Sequence, residues 1–280
     1  MIPLTRKRTK SAVPSSFRGE TPVERLVELM EKEQQVVNGT LKKHSFPSKW
    51  KSTKKQLQAE TGGKCAYCEA TTTESMHGDV EHYRPKSTYW WLAYVYDNYL
   101  ASCQLCNQKF KSNHFRIADG HAKMSGPQIT PDTTAAQMEE LAKTAIPDPL
   151  DADAVEAFQA AHLNERPLIL NPYIDDPADF FAWKVREDIQ EVDLVPRADK
   201  PEALHYVKAA EDLLGLNRPE LRERRFQVYS AYKVFADLLD QGILTGDLKQ
   251  RVEQEVKKAI SMMSPYAGMI RFFENQRTSG

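Results

Sequence analysis

Four cysteines fall in two pairs, Cys65-x-x-Cys68 and, 34 residues further on, Cys103-x-x-Cys106. Two such loops supply four thiolates, the ligand set of a tetrahedral zinc with Zn–S near ~2.3 Å. Four protein ligands close the site, so the chemistry it predicts is structural: the metal staples two loops and offers no open position to a substrate. Because the thiolate is the ligand, affinity is expected to fall in acid. A redox pair of the thioredoxin kind needs one Cys-x-x-Cys in a βαβ context; two pairs with no cysteine left over fit zinc better.

The interval between the pairs carries its own chemistry. It contains Asp79-Val80-Glu81-His82-Tyr83-Arg84-Pro85-Lys86, then Asn98 sixteen residues after His82, then Asn107 nine residues later beside the last cysteine, with Lys109 and Lys111 following. Glu81-His82, Asn98 and Asn107 resemble the HNH nuclease motif: an acid and a histidine ending a first strand, an asparagine in the loop, and a third residue at the start of a helix. The resemblance covers about residues 64–116. It implies a ββα-metal fold and hydrolysis of nucleic-acid phosphodiester bonds. His82 would be the general base, and Asn98 would brace the loop that orients it. Glu81 and the Asn107 amide oxygen would be the ligands of a catalytic Mg²⁺ or Mn²⁺, which carboxylate and amide oxygens suit. An unperturbed imidazole, near ~6.5, is matched to proton abstraction at neutral pH.

Many members of that family place a further histidine where Lys111 stands. Lysine is a poor metal ligand and a good phosphate partner, so Arg84, Lys86, Lys109 and Lys111 are the expected substrate-binding residues, each weighed against a merely solvated charge. Asp79 would share a strand face with Glu81 and is the reserve ligand. His77 and His114 lie nearby, but a lone histidine is more often structural or exposed. Trp90 and Trp91 could stack bases, though filling the core is the simpler use.

Elements must hold these residues in place. Thr21-Pro22-Val23-Glu24 reads as a helix start with a capping box, followed by a stripe of Val23, Leu26, Val27 and Met30. A second, basic helix is expected from Ser48 to Gly62-Gly63, and extended or buried structure at Trp90–Tyr96. A short helix is expected near Ala135–Lys143, and a β-prone piece over Phe180–Val195. Helical stripes run through Ala203–Leu214, Leu221–Leu239 and Leu248–Met263, with a last helix capped by Ser264-Pro265. The expected fold class is mainly α with a small ββα-metal (HNH) zinc-clamped module. Residues 1–19 are expected as a flexible basic arm, 20–118 as the module with its N-terminal helices, and 119–280 as a mostly helical region.

The chain's 280 residues carry a net charge of −1, 41% hydrophobic and 28% charged residues, which excludes global disorder. No apolar run reaches the roughly 20 residues of a membrane helix, and no secretory leader is read at the N-terminus, so a cytoplasmic location without membrane association is expected. The charge is unevenly spread: residues 1–60 hold 13 basic and 6 acidic residues, whereas 117–280 hold 19 and 28. A basic half can bind nucleic acid locally on a nearly neutral chain.

Two further segments, Arg166–Pro177 and Leu214-Gly215-Leu216-Asn217-Arg218, lie outside a generic HNH motif. With the nuclease core they resemble, over roughly 20–275, a bacterial HNH subfamily found in Septu and retron-associated anti-phage systems. That resemblance implies a toxic effector working beside a PtuA-like ABC-type ATPase, and in some systems a retron complex. The expected substrate is nucleic acid, DNA or RNA including tRNA. The alternative is a non-catalytic zinc module that binds nucleic acid or a protein partner; pure binding has no need of Glu81, His82 and Asn107 together.

Overall fold

The computed structural model describes residues 1–72 and 78–279. The chain is about half helical, with two small two-stranded sheets. Its first helices are α1 (Glu20–Val37) and the short α2 (Lys54–Glu60), the latter preceded by a 3₁₀ turn at Lys49–Thr53. Pro22, Leu26, Leu29 and Met30 of α1 are buried, the spacing of one helical face. The helix begins one residue before the expected capping box: Gly19 occupies the cap and no side chain closes it. Pro22 fits there because the first four N–H groups of a helix have no intrahelical partner in any case, so a missing one costs nothing.

Strand β1 (Asp79–His82) pairs antiparallel with β2 (Tyr99–Ser102), with Glu81 opposite Leu100 and His82 opposite Tyr99. A π-helix over Leu105–Lys111 follows. A small strand–strand–helix unit thus carries the whole motif. The aromatic stretch between the strands is buried as expected, but it forms two 3₁₀ turns, Trp90–Leu92 and Tyr96–Asn98, instead of a strand. Trp91 packs so tightly on Gly126 that a Cβ there would come within 2.4 Å of its ring, so this tryptophan fills core space.

Helices α3 (Ala135–Ala145) and α4 (Ala152–Glu165) come next; α3 starts on a Thr134–Gln137 capping box. The β-prone piece is a hairpin, β3 (Phe181–Arg186) with β4 (Glu191–Pro196). Helices α5 (Ala203–Leu214), α6 (Pro219–Asp240), α7 (Gly246–Ala259) and α8 (Ala267–Ser279) complete the chain. In α7 only Val252 and Val256 of the expected stripe are buried, while Leu248 and Met263 are exposed. The last helix starts after Pro265, at Ala267, because Ser264 turns its hydroxyl back to the Lys258 carbonyl instead of capping forward.

Two expectations about organisation give way. Residues 1–19 are anchored: Val13 and Phe17 are buried, Arg6 pairs with Glu60 at 3.1 Å and donates to the Tyr99 carbonyl at 2.7 Å, and Arg8 reaches Asp97 at 2.5 Å. Arg6 and Arg8 of the expected flexible arm are therefore counter-ions to carboxylates that sequence distance concealed. Nor does packing break near residue 118: one core cluster joins the cysteines, Tyr83 and Leu100 to Trp183, Leu214 and Ile270. Among the described residues no helix is long and apolar enough to cross a membrane.

Candidate metal centre and cleft

The four cysteines converge. Their sulfurs all lie within 4.8 Å of one another and all four residues are buried. Cys68 Sγ and Cys103 Sγ are 3.9 Å apart, close to the edge of a tetrahedron with metal–sulfur bonds of ~2.3 Å. The Cys106 amide points at Cys103 Sγ at 3.4 Å, the turn that lets a Cys-x-x-Cys loop fold around a metal. The donor set fits zinc, and the four cysteines could hold one ion.

Beside β1, an open cleft of about 470 Å³ is lined by Asp79, Glu81, His82, Lys86, Asn107 and Gln108, together with Trp50, Lys51 and Lys54. The His82 ring stands edge-on to Trp50 at 4.6 Å and to Tyr99 at 5.1 Å. Its Nε2 lies 3.0 Å from the Ala93 carbonyl. A carbonyl only accepts, so the proton sits on Nε2 and Nδ1 keeps a free lone pair. Burial, helped by Lys86 and Lys111, pushes the imidazole down to about 3, so it is neutral at physiological pH.

The oxygen donors are arranged unequally. Asn107 Nδ2 donates to Asp79 Oδ2 at 3.2 Å and Gln108 Nε2 donates to the same oxygen at 2.8 Å, which leaves the Asn107 side-chain Oδ1 unengaged. Glu81 is buried and faces Lys111, whose Nζ is 2.5 Å from its Oε1. Burial raises the Glu81 carboxyl, with Lys111 and Lys86 opposing the rise. Asp79, Glu81 and Asn107 together present hard oxygen donors to one cleft, a set that fits Mg²⁺ or Mn²⁺.

Asn98 is wholly buried and spans the loop between the strands: its Oδ1 accepts from the Arg84 amide at 2.8 Å, and its Nδ2 donates to the carbonyls of Arg84 at 3.0 Å and Leu92 at 3.2 Å. The loop so closed also carries Ala93, the partner of His82.

The chain is similar to Septu protein PtuB from Bacillus mycoides (strain KBAB4). The two are 25% identical over 234 residues, 75% of this chain and 65% of that protein. The chain therefore spans less than two thirds of the length of the curated relative it matches. No family model matches the chain, and no solved structure matches it.

The expected substrate-binding residues separate in the structure. Lys86 lines the cleft and lies 5.1 Å over the Trp50 ring. Lys109 is exposed on the π-helix but does not line the cleft. Lys111 is 0% exposed: besides Glu81 it donates to the His82 carbonyl at 3.0 Å, so it serves the strand and not a substrate. Arg84, also 0% exposed, is held by Glu165, with Nε at 2.7 Å and Nη2 at 2.6 Å. A charge this far from solvent is retained only when paired, and both lysine and arginine found their partners within the fold. His114 is exposed and outside the cleft, and His77 lies outside the described residues.

Glu165 also accepts from Tyr89 at 2.5 Å and from the Met124 amide at 2.9 Å. Replacing it by alanine strands Arg84 and these donors. Glu165→Ala is expected to lose about 3–5 kcal/mol of stability, read as a fall in the urea midpoint; an unchanged midpoint would remove Arg84–Glu165 from the scaffold of the loop.

Trp50, Lys51, Lys54 and Gln108 were not singled out as site residues by the motif. The basic character of the segment from Ser48 was visible in the sequence; its position beside β1 was not.

Proposed function

We propose that the chain is a metal-dependent HNH-type endonuclease, the toxic effector of an anti-phage defence system, that hydrolyses nucleic-acid phosphodiester bonds. The observation that carries this reading is one cleft that gathers a neutral histidine with a free Nδ1, three oxygen donors and several lysines. A binding module has no use for that combination.

His82 Nδ1 takes a proton from a water molecule as the water oxygen bonds to phosphorus. The Ala93 carbonyl holds the Nε2–H, so the ring cannot present the wrong nitrogen. The bond to the 3′ oxygen breaks; that oxygen takes a proton from solvent water and leaves as a hydroxyl, and His82 returns its proton to solvent. A divalent cation held by Glu81 and Asn107, with Asp79 beside them, would neutralise the phosphoryl and leaving oxygens. Lys51, Lys54 and Lys86 hold the phosphate chain.

The similarity to a Septu protein supports the defence role; a PtuA-like ATPase is the proposed partner and a retron complex a proposed further assembly. The test incubates the chain, alone and with its ATPase partner, with plasmid DNA and with tRNA. Cleavage is expected with Mg²⁺ or Mn²⁺ and to vanish with a chelator; no cleavage with partner and metal supplied would overturn the reading.

Charge reversal at Lys51 and Lys54 is expected to weaken nucleic-acid binding at least tenfold and to flatten its salt dependence by about two counter-ions. Affinity measured across a salt series checks this; parallel lines for variant and wild type would place the substrate elsewhere.

A further inference from the structure

The segment Leu214–Arg218 joins α5 to α6 and has no part in the cleft. Its turn presses directly on the π-helix that carries Cys106 and Asn107. Gly215 sits at φ +60°, where a Cβ would fall 2.5 Å from the Phe110 ring, so only glycine permits this approach. Asn217 fixes the turn from behind, exchanging 2.8 Å hydrogen bonds with both backbone groups of Leu194 in β4.

Arg218 then points at the sulfurs. Its Nη1 is 3.8 Å from Cys106 Sγ and its Nη2 is 4.0 Å from Cys68 Sγ. The remaining partners are the carbonyls of Leu214 at 3.5 Å and Gly215 at 3.1 Å. Two helical turns further along α6, Arg225 is 1% exposed. It lies 4.7 Å over the Trp183 ring, with Asn217 Oδ1 at 3.3 Å and its Nε unpartnered. Among the described residues neither arginine forms an ion pair with a carboxylate, whereas Arg6, Arg8 and Arg84 each do.

Buried guanidinium charge without a counter-ion is costly. For Arg218 the groups of potential negative charge within reach are the cysteine sulfurs, and neutral thiols would not supply it. Four thiolates around a divalent zinc carry two net negative charges, which two arginines balance.

We propose that the Leu214–Arg218 turn is the outer wall of the four-cysteine centre, with Arg218, backed by Arg225, as the positioning cation that keeps four thiolates on one zinc. The inference rests on the zinc reading of the cysteines. It gives the turn a task that the cleft does not: coupling the α5–α6 junction to the π-helix through the metal.

The experiment uses the zinc-loaded full chain and follows release of zinc to excess chelator. Arg218→Met and Arg218→Gln are expected to release zinc about 10–100-fold faster, and Arg218→Lys, which keeps the charge, to stay within a few-fold of wild type. In cobalt-substituted protein the thiolate-to-metal charge-transfer band is expected to move to longer wavelength in the two neutral variants and to hold in Arg218→Lys; should one neutral variant not accumulate, the other carries both readouts. Wild-type release rates in the neutral variants, or a lysine variant as fast as methionine, overturn the assignment of Arg218. A wild-type chain that binds less than one equivalent of zinc fails the metal reading itself, a distinct result.

Discussion

His82→Ala is expected to slow single-turnover cleavage by about 10²–10⁴-fold, the range that a positioned general base contributes. The effect depends on the orientation of one ring. Nε2 is committed to the Ala93 carbonyl, and Ala93 in turn accepts from the Tyr99 hydroxyl at 2.7 Å, so the ring cannot rotate without breaking a buried contact. Trp50 and Tyr99 meet it edge-on and leave only Nδ1 directed to the cleft. Alanine removes the base and leaves the oxygen donors and cysteines in place, so zinc content should be unchanged. Free imidazole should restore part of the lost rate, since the space vacated opens on the cleft. An alanine variant that cleaves at the wild-type rate would mean that the base lies elsewhere, and rescue by imidazole separates loss of a base from collapse of the strand.

Much of this site could be read from the chain because its chemistry is local. Cys-x-x-Cys spacing is fixed by the turn that surrounds a metal, and Glu81, His82 and Asn107 sit at the ends of short elements whose register follows from a single antiparallel pairing. What escaped the sequence were long-range partners. Lys111 and Glu81 are 30 positions apart, and Arg84 and Glu165 are 81 apart; neither pairing leaves a periodic trace. The same holds for Arg6 with Glu60, which turns a basic tail into a strut under β2. A lysine or arginine beside a phosphate-handling motif invites a substrate role, but the fold can spend that charge on its own carboxylates. Helix stripes were legible where they pack on a core, as in α5, and faded where the helix lies at the surface, as at Leu248 and Met263. The charge asymmetry is also better defined: of the basic residues in the N-terminal part, Lys51 and Lys54 face the cleft while Arg6 and Arg8 are consumed in ion pairs.

Loss of one zinc ligand is expected to have the largest effect on stability. Structural zinc contributes ~10–16 kcal/mol of apparent binding free energy in small metal-dependent folds, which equals or exceeds the ~5–15 kcal/mol total stability of a typical domain. Cys103→Ser removes a sulfur that immediately follows β2 and that the Cys106 amide approaches. The cysteines belong to the same core cluster as Leu214, Trp183 and Ile270, so the loss should not stay local: the unfolding transition should shift as a whole, to a melting temperature lower by well over ten degrees or to a chain unfolded at 37 °C. Chelation of zinc from the wild-type chain should reproduce the variant, and chelation of Cys103→Ser should add nothing further. Cleavage should fail in both, because Asn107 stands one residue from Cys106 on the π-helix and its amide oxygen reaches the cleft only while that helix is held. Calorimetry with and without chelator, alongside metal analysis, checks the prediction. A zinc-free chain that melts at the wild-type temperature would leave the four buried thiols as ordinary core residues, and the strand–strand–helix unit would then have to be held by its hydrogen bonds and aromatic packing alone.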